Sequence, residues 1–468
     1  MSASAAHAVP ARRQRAVRVS SAQGIWINRF LYGGILLSLL YVFTLDGVVR
    51  LKTNSSNVTL LRDVLPWSLA LIGVLYVLAR PSPPSLKHPL FGLVALFVVI
   101  TLVELWNPDT ISVRTGFEAL RPHLEFVPLF FLGYAVMRTE GRLRGLALVL
   151  IIAAAANGVV GLIQSGLSLG QLAAWGPGYH ILVDGGVVNG QLHNPAVYYT
   201  ATGAKLRPPA LGSDVGFGGA IGVLALPFAL ALITGNRRRR DRLVGLICLP
   251  LIVAAIITSQ TRSDVVAGVV VAVIFAVLLA ARRRRGAAPL FLLTALGLGI
   301  LLIGGVSLGR YSSITPTKLI STFGAERGGS FTLIPTYAVK YPLGAGLGTA
   351  GPGVSANSSV HGGKLSGENS FIYLIVELGL PGLLVVLALL AVSLRRATKL
   401  ALSHLPRETL SYLIALASAL YGCAVLTLSG PVTAAPPSSP FIWLAFGVIA
   451  AWWSARTSQA TDRSSRRA

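Results

Sequence analysis

Long apolar runs separated by short polar stretches make up most of this 468-residue chain. A helix of roughly 20 apolar residues is long enough to cross the hydrocarbon core of a lipid bilayer. About 12 segments meet or approach that length, so the pattern predicts an all-α polytopic membrane protein. The predicted transmembrane helices cover residues 25–45, 64–79, 90–106, 120–137, 146–167, 217–235, 243–258, 265–281, 289–308, 370–394, 410–428 and 441–453.

The polar connections between these segments fall into two groups of different length. Those on one side are short and basic, including "RRRR" at 237–240 and again at 282–285, whereas two on the other side, 168–216 and 309–369, are long. Because short loops rich in Lys and Arg stay in the cytoplasm, both termini are predicted to be cytoplasmic and both long loops extracytoplasmic. Long loops usually carry function, so we expect the chemistry on the extracytoplasmic side.

This topology divides the chain into alternating membrane and polar parts. Basic cytoplasmic tails are predicted at 1–24 and 456–468, helices 1–5 at 25–167, the first long loop at 168–216, helices 6–9 at 217–308, the second long loop at 309–369 and helices 10–12 at 370–455. No paired internal repeat is visible in the hydropathy pattern, which argues against a secondary transporter of the repeat type.

Composition agrees with a membrane protein and excludes several soluble classes. Hydrophobic residues make up 53% of the chain and charged residues 12%, and the mean hydropathy is +0.70. The net charge of +24 is spread over short clusters between apolar runs, so topology explains it better than nucleic-acid binding. The two cysteines lie inside apolar runs, and no His, Cys, Asp or Glu spacing predicts a metal site.

Candidate chemistry lies in three polar stretches on the predicted extracytoplasmic side. The first is "GAKLRPPALGSD" at 203–214, before the sixth span, and the second is "TSQTRSD" at 258–264, a short gap between two spans. The third is the second long loop, with "AERGGSF", "KYPLGAGLGTAG" and "HGGKLSGENSFIYL" in that order. Arginine in such gaps is suited to phosphate, because its planar guanidinium binds two oxygens at once.

In this order and topology the motifs resemble the bacterial O-antigen ligase and O-antigen or exopolysaccharide polymerase superfamily of membrane glycosyltransferases. The matching region covers roughly residues 157–385, about half of the chain. The resemblance implies a C-type glycosyltransferase fold in the bacterial cytoplasmic (inner) membrane, with no nucleotide sugar, metal or other cofactor. It also implies a polyprenyl-diphosphate-linked glycan donor, a glycan or lipid acceptor, and possible association with other polysaccharide-assembly membrane proteins.

The resemblance and the chemistry together give candidate site residues. Departure of a lipid diphosphate needs positive charge, so we expect Arg207, Arg262 and Arg327 to bind the diphosphate, with Arg262 also acting in catalysis. An acceptor hydroxyl must lose a proton, which Glu368 or His361 would assist. Ligases of the superfamily have a histidine where this chain has Glu368, and a glutamate there is similar to some polymerases. The secondary candidates are Lys205, Lys340 and Asn369.

Other interpretations stay open from the sequence alone. The protein could be a ligase that moves a finished glycan to a lipid or protein, or a twelve-span transporter or flippase. Arg262 could instead extend to lipid headgroups at the interface. Glu377, within an apolar span, is expected to bond a neighbouring helix, and Asn157 and Gln164 are expected to tie helices together.

Overall fold

The computed structural model describes residues 11–55, 59–78, 88–110, 113–188, 191–193, 195–200, 203–235, 238–282, 329–350 and 369–465. This part of the chain is mostly helical. The helices are α1 (Ala11–Leu40), α2 (Asp46–Thr53), α3 (Thr59–Leu78), α4 (Pro89–Val103), α5 (Val113–Leu124), α6 (Pro128–Val136), α7 (Glu140–Ser165), α8 (Leu169–Ala173), α9 (Pro177–Asp184), α10 (Phe217–Gly235), α11 (Arg239–Thr258), α12 (Arg262–Arg282), α13 (Gly329–Lys340), α14 (Ser370–Ala401), α15 (Arg407–Leu426) and α16 (Ser438–Ser465).

Nine helical stretches within the described residues are long and apolar enough to cross a membrane. They are Gly24–Thr53, Pro89–Trp106, Glu140–Ser165, Phe217–Gly235, Arg239–Thr258, Arg262–Arg282, Ser370–Ala401, Arg407–Leu426 and Ser438–Thr457. The prediction of a helical, multi-pass membrane protein is therefore supported. The predicted span 289–308 lies outside the described residues, and α3, which covers the second predicted span, is not among the nine.

Two predicted spans differ from the structure. The fourth, 120–137, was predicted as one helix, but α5 ends at Leu124 and α6 begins at Pro128 after a turn. Proline favours the first position of a helix because it has no N–H to donate to the preceding turn. Glu125, in that turn, accepts hydrogen bonds from Arg62 of α3 at both carboxylate oxygens. The first predicted span, 25–45, ends too early. The helix continues from α1 through a π-helical segment (Tyr41–Leu45) into α2.

The first predicted long loop contains secondary structure of its own. It holds α8, α9 and two antiparallel hairpins, β1 (Gly186–Val188) with β2 (Gln191–His193) and β3 (Val197–Thr200) with β4 (Gly203–Leu206). The all-α description thus applies to the apolar helices and not to this loop. A small apolar core holds the loop together, formed by Leu51, Leu172, Tyr179, Leu182, Val183 and Ala196.

Close backbone approach fixes this loop to the end of the first long helix. A Cβ atom at Gly178 would lie 2.7 Å from Leu51 Cα, which leaves room for glycine alone. Burial raises the pKa of Tyr179, next to Gly178, to about 12, so its phenol stays neutral. The loop is therefore packed against α2.

Helix α10 lies at the centre of the bundle and packs against α7, α11, α12 and α15. Nearly all of its side chains are buried, and glycines on its surface allow close contact with its neighbours. A Cβ atom at Gly222 would lie 2.7 Å from the Ile256 side chain and 3.1 Å from Ile252 O. Small residues at such crossings permit close van der Waals packing between membrane helices.

The two ends of this bundle differ in charge. The turn end carries the connection between α11 and α12, residues 259–261, and the basic end carries the start of α11 and the end of α12. At the basic end Arg144 binds both carboxylate oxygens of Asp241, and Arg407 donates to Thr234 O at 2.9 Å. The assignment of the basic end to the cytoplasm stays a prediction.

Candidate active site

The turn between α11 and α12 is built by short polar side chains that bond the local backbone. Ser259 Oγ lies 2.8 Å from Ile256 O and 3.2 Å from Asp264 Oδ2, and it accepts a hydrogen bond from Thr261 N at 3.2 Å. Such side-chain bonds replace the helical pattern and let the chain reverse within three residues. Gln260 takes a left-handed conformation with φ +53° at the tip. Arg262 then begins α12 and is half-buried.

Arg207 reaches this turn from the first long loop. Arg207 directly follows β4. Its backbone N–H donates to Ala196 O at 2.7 Å, and this bond fixes the position of the Arg207 backbone. Its guanidinium Nη2 donates to Thr261 Oγ1 at 3.3 Å. Thr261 immediately precedes Arg262, so the structure brings two of the three predicted diphosphate-binding arginines to one short turn. Both arginine side chains are half-buried.

A buried acidic side chain lies in the first turn of α12, close to Arg262 in the chain. Asp264 is 3% exposed, and its Oδ2 lies 3.2 Å from Ser259 Oγ. A Cβ atom at Gly219 of α10 would lie 2.1 Å from Asp264 Oδ2, so glycine is required for the carboxylate to fit there. Asp264 lies two residues after Arg262, but its residue type and spacing alone did not predict a role for it. This acidic side chain is therefore part of the same polar turn as Ser259 and Arg262.

Two amides of α7 hold the segment that follows Arg207. Gln164 Nε2 donates to Ala210 O at 3.0 Å, and Gln164 Oε1 accepts from Ala210 N at 2.8 Å. Asn157 Oδ1 accepts from Leu211 N at 3.1 Å, and Asn157 Nδ2 donates to Phe43 O at 2.9 Å. The expectation that these amides tie helices together holds for Asn157, which bonds Phe43 of the first span, but not for Gln164, which bonds the loop at Ala210. Their main partner is the loop backbone rather than another helix side chain.

The glycine-rich segment 341–350 forms a second polar cluster with α14. Gly348 N and Ala350 N donate to Glu377 Oε1 at 3.2 and 3.0 Å, and Ala345 N donates to Val376 O at 2.6 Å. Gly379 has φ +66°, and a Cβ atom there would lie 2.6 Å from Pro342 O. The backbone of α14 therefore opens at Gly379 to receive this segment, and Glu377 anchors it.

Glu377 also binds across the bundle to His123 of α5. Glu377 Oε2 lies 2.8 Å from His123 Nε2, and both side chains are fully buried. The Tyr373 ring stacks on the imidazole with ring centroids 4.9 Å apart, and its hydroxyl lies 3.0 Å from His123 Nε2. The expected bond from Glu377 to a neighbouring helix is confirmed. Sequence reasoning missed His123, because it lies 254 residues from its partner.

The secondary candidates take other positions. Lys205 is exposed on β4, opposite Tyr198 of β3, and Lys340 ends α13 with its ammonium 5.1 Å from the centre of the Tyr341 ring. A hydrogen bond to Tyr341 raises the pKa of Lys340, so its charge is retained. Asn369 caps α14, since its Oδ1 accepts from Ile372 N at 2.9 Å.

Three predicted site residues lie outside the described residues. They are Arg327, His361 and Glu368. Their roles stay predictions, as do those of Arg207 and Arg262. Among the described residues, no group of three or more His, Cys, Asp and Glu side chains is arranged to hold a metal ion.

Comparison with known proteins adds one structural similarity. No family model matches the chain, and no curated protein matches it. Among solved structures, this protein is similar to one chain of a structure described as "Structural coordination of polymerization and crosslinking by a peptidoglycan synthase complex". The two are 18% identical, the match covers 80% of this chain and 98% of that chain, and the TM-score is 0.37. A similarity of this size carries no argument about function.

Proposed function

We propose that this protein is an inner-membrane glycosyltransferase that polymerises polyprenyl-diphosphate-linked oligosaccharide repeat units into a surface polysaccharide. The reaction would take place on the extracytoplasmic face, where the turn end of the bundle is predicted to lie. The observation that carries the proposal is the hydrogen bond from Arg207 to Thr261, directly before Arg262. This bond supports a site that contains both Arg207 and Arg262, which lie in two of the motifs quoted above.

The chemistry of such a site follows from charge. The acceptor hydroxyl oxygen attacks the anomeric carbon of the donor, and the bond from that carbon to the diphosphate oxygen breaks. The configuration at the anomeric carbon is inverted. The lipid diphosphate leaves with the bonding electron pair, so negative charge develops on its oxygens. Two half-buried arginine side chains would stabilise that charge better than water does, because guanidinium groups carried by a folded turn need less reorganisation than water.

The proton of the acceptor hydroxyl needs a base in the same reaction. We propose Glu368, with His361 as the alternative, as that base, and Arg327 as a third cation for the diphosphate. These three assignments rest on the order of the motifs in the chain. Asn369, which directly follows Glu368, caps α14, and the anchored segment 341–350 contacts the same helix.

Reconstitution provides the direct test. Purified protein in liposomes would receive lipid-linked repeat units without nucleotide sugar, and product length and released lipid diphosphate would be measured. We expect longer chains and one released diphosphate per bond formed. Movement of substrate across the liposome membrane with neither product would instead identify a transporter, and it would reject this proposal.

A deletion strain separates the two transferase reactions. Loss of the polymer ladder with single repeats remaining is the result expected of a polymerase. Full ladders that accumulate on the lipid carrier would identify a ligase, the alternative within the same superfamily. Complementation with the unaltered gene and with the Arg262→Lys variant links either result to the candidate site.

A further inference from the structure

The segment 208–212, between Arg207 and α10, is held on several sides by the helix bundle. Gln164 bonds both backbone groups of Ala210, the N–H at 2.8 Å and the carbonyl at 3.0 Å. A Cβ atom at Gly47 of α2 would lie 2.4 Å from Leu211 O, so the segment also presses against that helix. Such a paired amide contact fixes the orientation of the Ala210 peptide groups as well as their position.

Ala210 adopts a backbone conformation that alanine rarely takes. Its φ is +56°, in the left-handed region, where a Cβ atom crowds the following carbonyl. A Cβ atom at Gly218 of α10 would lie 2.9 Å from Ala210 Cβ, so glycine at position 218 leaves the space that the Ala210 methyl group occupies. Residues keep such a conformation when surrounding contacts impose it. The Gln164 amide supplies those contacts directly.

The strained position is coupled to Arg207 through a short, buried path. Only Pro208 and Pro209 separate Ala210 from Arg207, and both are buried. Each proline ring fixes its φ near −65°, so few backbone torsions between Ala210 and Arg207 are free to change. A rotation of the Ala210 peptide would therefore also reorient Arg207. Asn157, two turns along α7 from Gln164, holds Leu211 N and Phe43 O and ties the same segment to the first long helix.

We infer that Gln164 is a positioning residue for Arg207: its amide holds Ala210 in the left-handed conformation that directs the Arg207 guanidinium to Thr261. The inference rests on the proposed function for its catalytic consequence, because Arg207 is there assigned to the diphosphate. A purely structural role, in which Gln164 only satisfies buried backbone groups, predicts a loss of stability without a specific link to Arg207.

Hydrogen exchange on the purified full-length protein tests the contact without reference to activity. Gln164→Leu removes both bonds to Ala210, and Gln164→Glu keeps the acceptor for Ala210 N while removing the donor to Ala210 O. We expect amide exchange in the peptide covering 207–212 to rise at least about tenfold in Gln164→Leu, with the rest of α7 unchanged. Ser165→Ala is the matched control, since Ser165 Oγ bonds Gly161 O within the same helix at 2.7 Å.

Turnover in reconstituted liposomes tests the link to Arg207. We expect Gln164→Leu to lower kcat about tenfold with little change in KM, and to cause no further loss when Arg207→Ala is already present. Ala210→Gly should restore most of the activity of Gln164→Leu, because glycine takes a positive φ without steric cost. If Gln164→Leu does not fold, Gln164→Glu serves in the same comparisons.

The outcomes distinguish this inference from the proposed function. Unchanged exchange at 207–212 in Gln164→Leu overturns the inference, and so does an undiminished loss of kcat on the Arg207→Ala background. Wild-type protein that makes no polymer rejects the proposed function. The exchange result then still decides whether Gln164 holds the Arg207 segment.

Discussion

Arg207 donates a hydrogen bond from its guanidinium to the hydroxyl of Thr261, 54 residues further along the chain. The bond joins the end of the β3–β4 hairpin to the turn between two long apolar helices. It places Arg207 beside the residue that precedes Arg262. The predicted donor site therefore has a physical connection between its two parts.

Arg262→Lys is expected to lower turnover by about 100-fold, because lysine keeps the charge but loses the planar two-oxygen contact. Membrane insertion and protein yield should stay unchanged. The measurement is polymer formation per molecule of reconstituted protein. Arg239→Lys, at an exposed position of the basic end, is the matched control and should retain full activity. Full activity of Arg262→Lys would remove Arg262 from the mechanism.

Thr261→Val removes the acceptor for Arg207 while keeping the shape of the side chain. Hydrogen bonds to charged groups contribute about 1.5–3 kcal/mol, so turnover should fall by roughly 10- to 150-fold. The loss should be small when Arg207→Ala is also present. Thr101→Val is the control, since Thr101 bonds Phe97 O within α4 at 2.8 Å. Equal losses on the two backgrounds would show that Thr261 acts independently of Arg207.

Gly379→Ala should displace the segment 341–350 from α14. Alanine at a left-handed φ costs about 1–2 kcal/mol, and the added Cβ atom would also lie 2.6 Å from Pro342 O. We expect a lower melting temperature in detergent. Tryptophan fluorescence of the purified protein during heating measures this temperature. Gly92→Ala is the control, because its Cβ atom would meet nothing within 4 Å. An unchanged melting temperature for Gly379→Ala would contradict the close contact.

Cysteine labelling tests the orientation of the bundle. In a background with Cys248 and Cys423 replaced by serine, Lys205→Cys should react with a membrane-impermeant maleimide on intact spheroplasts. Arg239→Cys should react only after the membrane is opened, because short basic segments stay in the cytoplasm. Both positions are exposed, so access depends on the side of the membrane. The reverse labelling pattern would invert the topology and move the candidate site to the cytoplasmic side.

Prediction from sequence succeeded where one residue class dominates a long window. The apolar runs at 217–235 and 243–258 became α10 and α11, since burial of backbone polar groups in lipid favours helices. It failed at 120–137, where the apolar average hid Glu125 and its contact with Arg62. A buried carboxylate is stable there because an arginine from another helix pairs with it, and no local window contains that arginine.

The candidate site shows the same division. Arg207 and Arg262 were predicted from motif order, but the contacts around them were not, because the bonds from Arg207 to Thr261 and from Gln164 to Ala210 join distant parts of the chain. Glu377 was predicted to bond another helix, and His123 could not be named as its partner from the sequence. The glycine-rich segment was identified by its composition, whereas its anchoring to α14 depends on two backbone N–H groups.

The sequence by itself determined the class of the protein: hydropathy and charge are local properties, and a bilayer reads them segment by segment. The tertiary structure decided the site, because directional hydrogen bonds need both partners placed to within a few tenths of an ångström. Such placement depends on glycines that admit close approach, such as Gly219 and Gly379, and on helices that meet from distant parts of the chain.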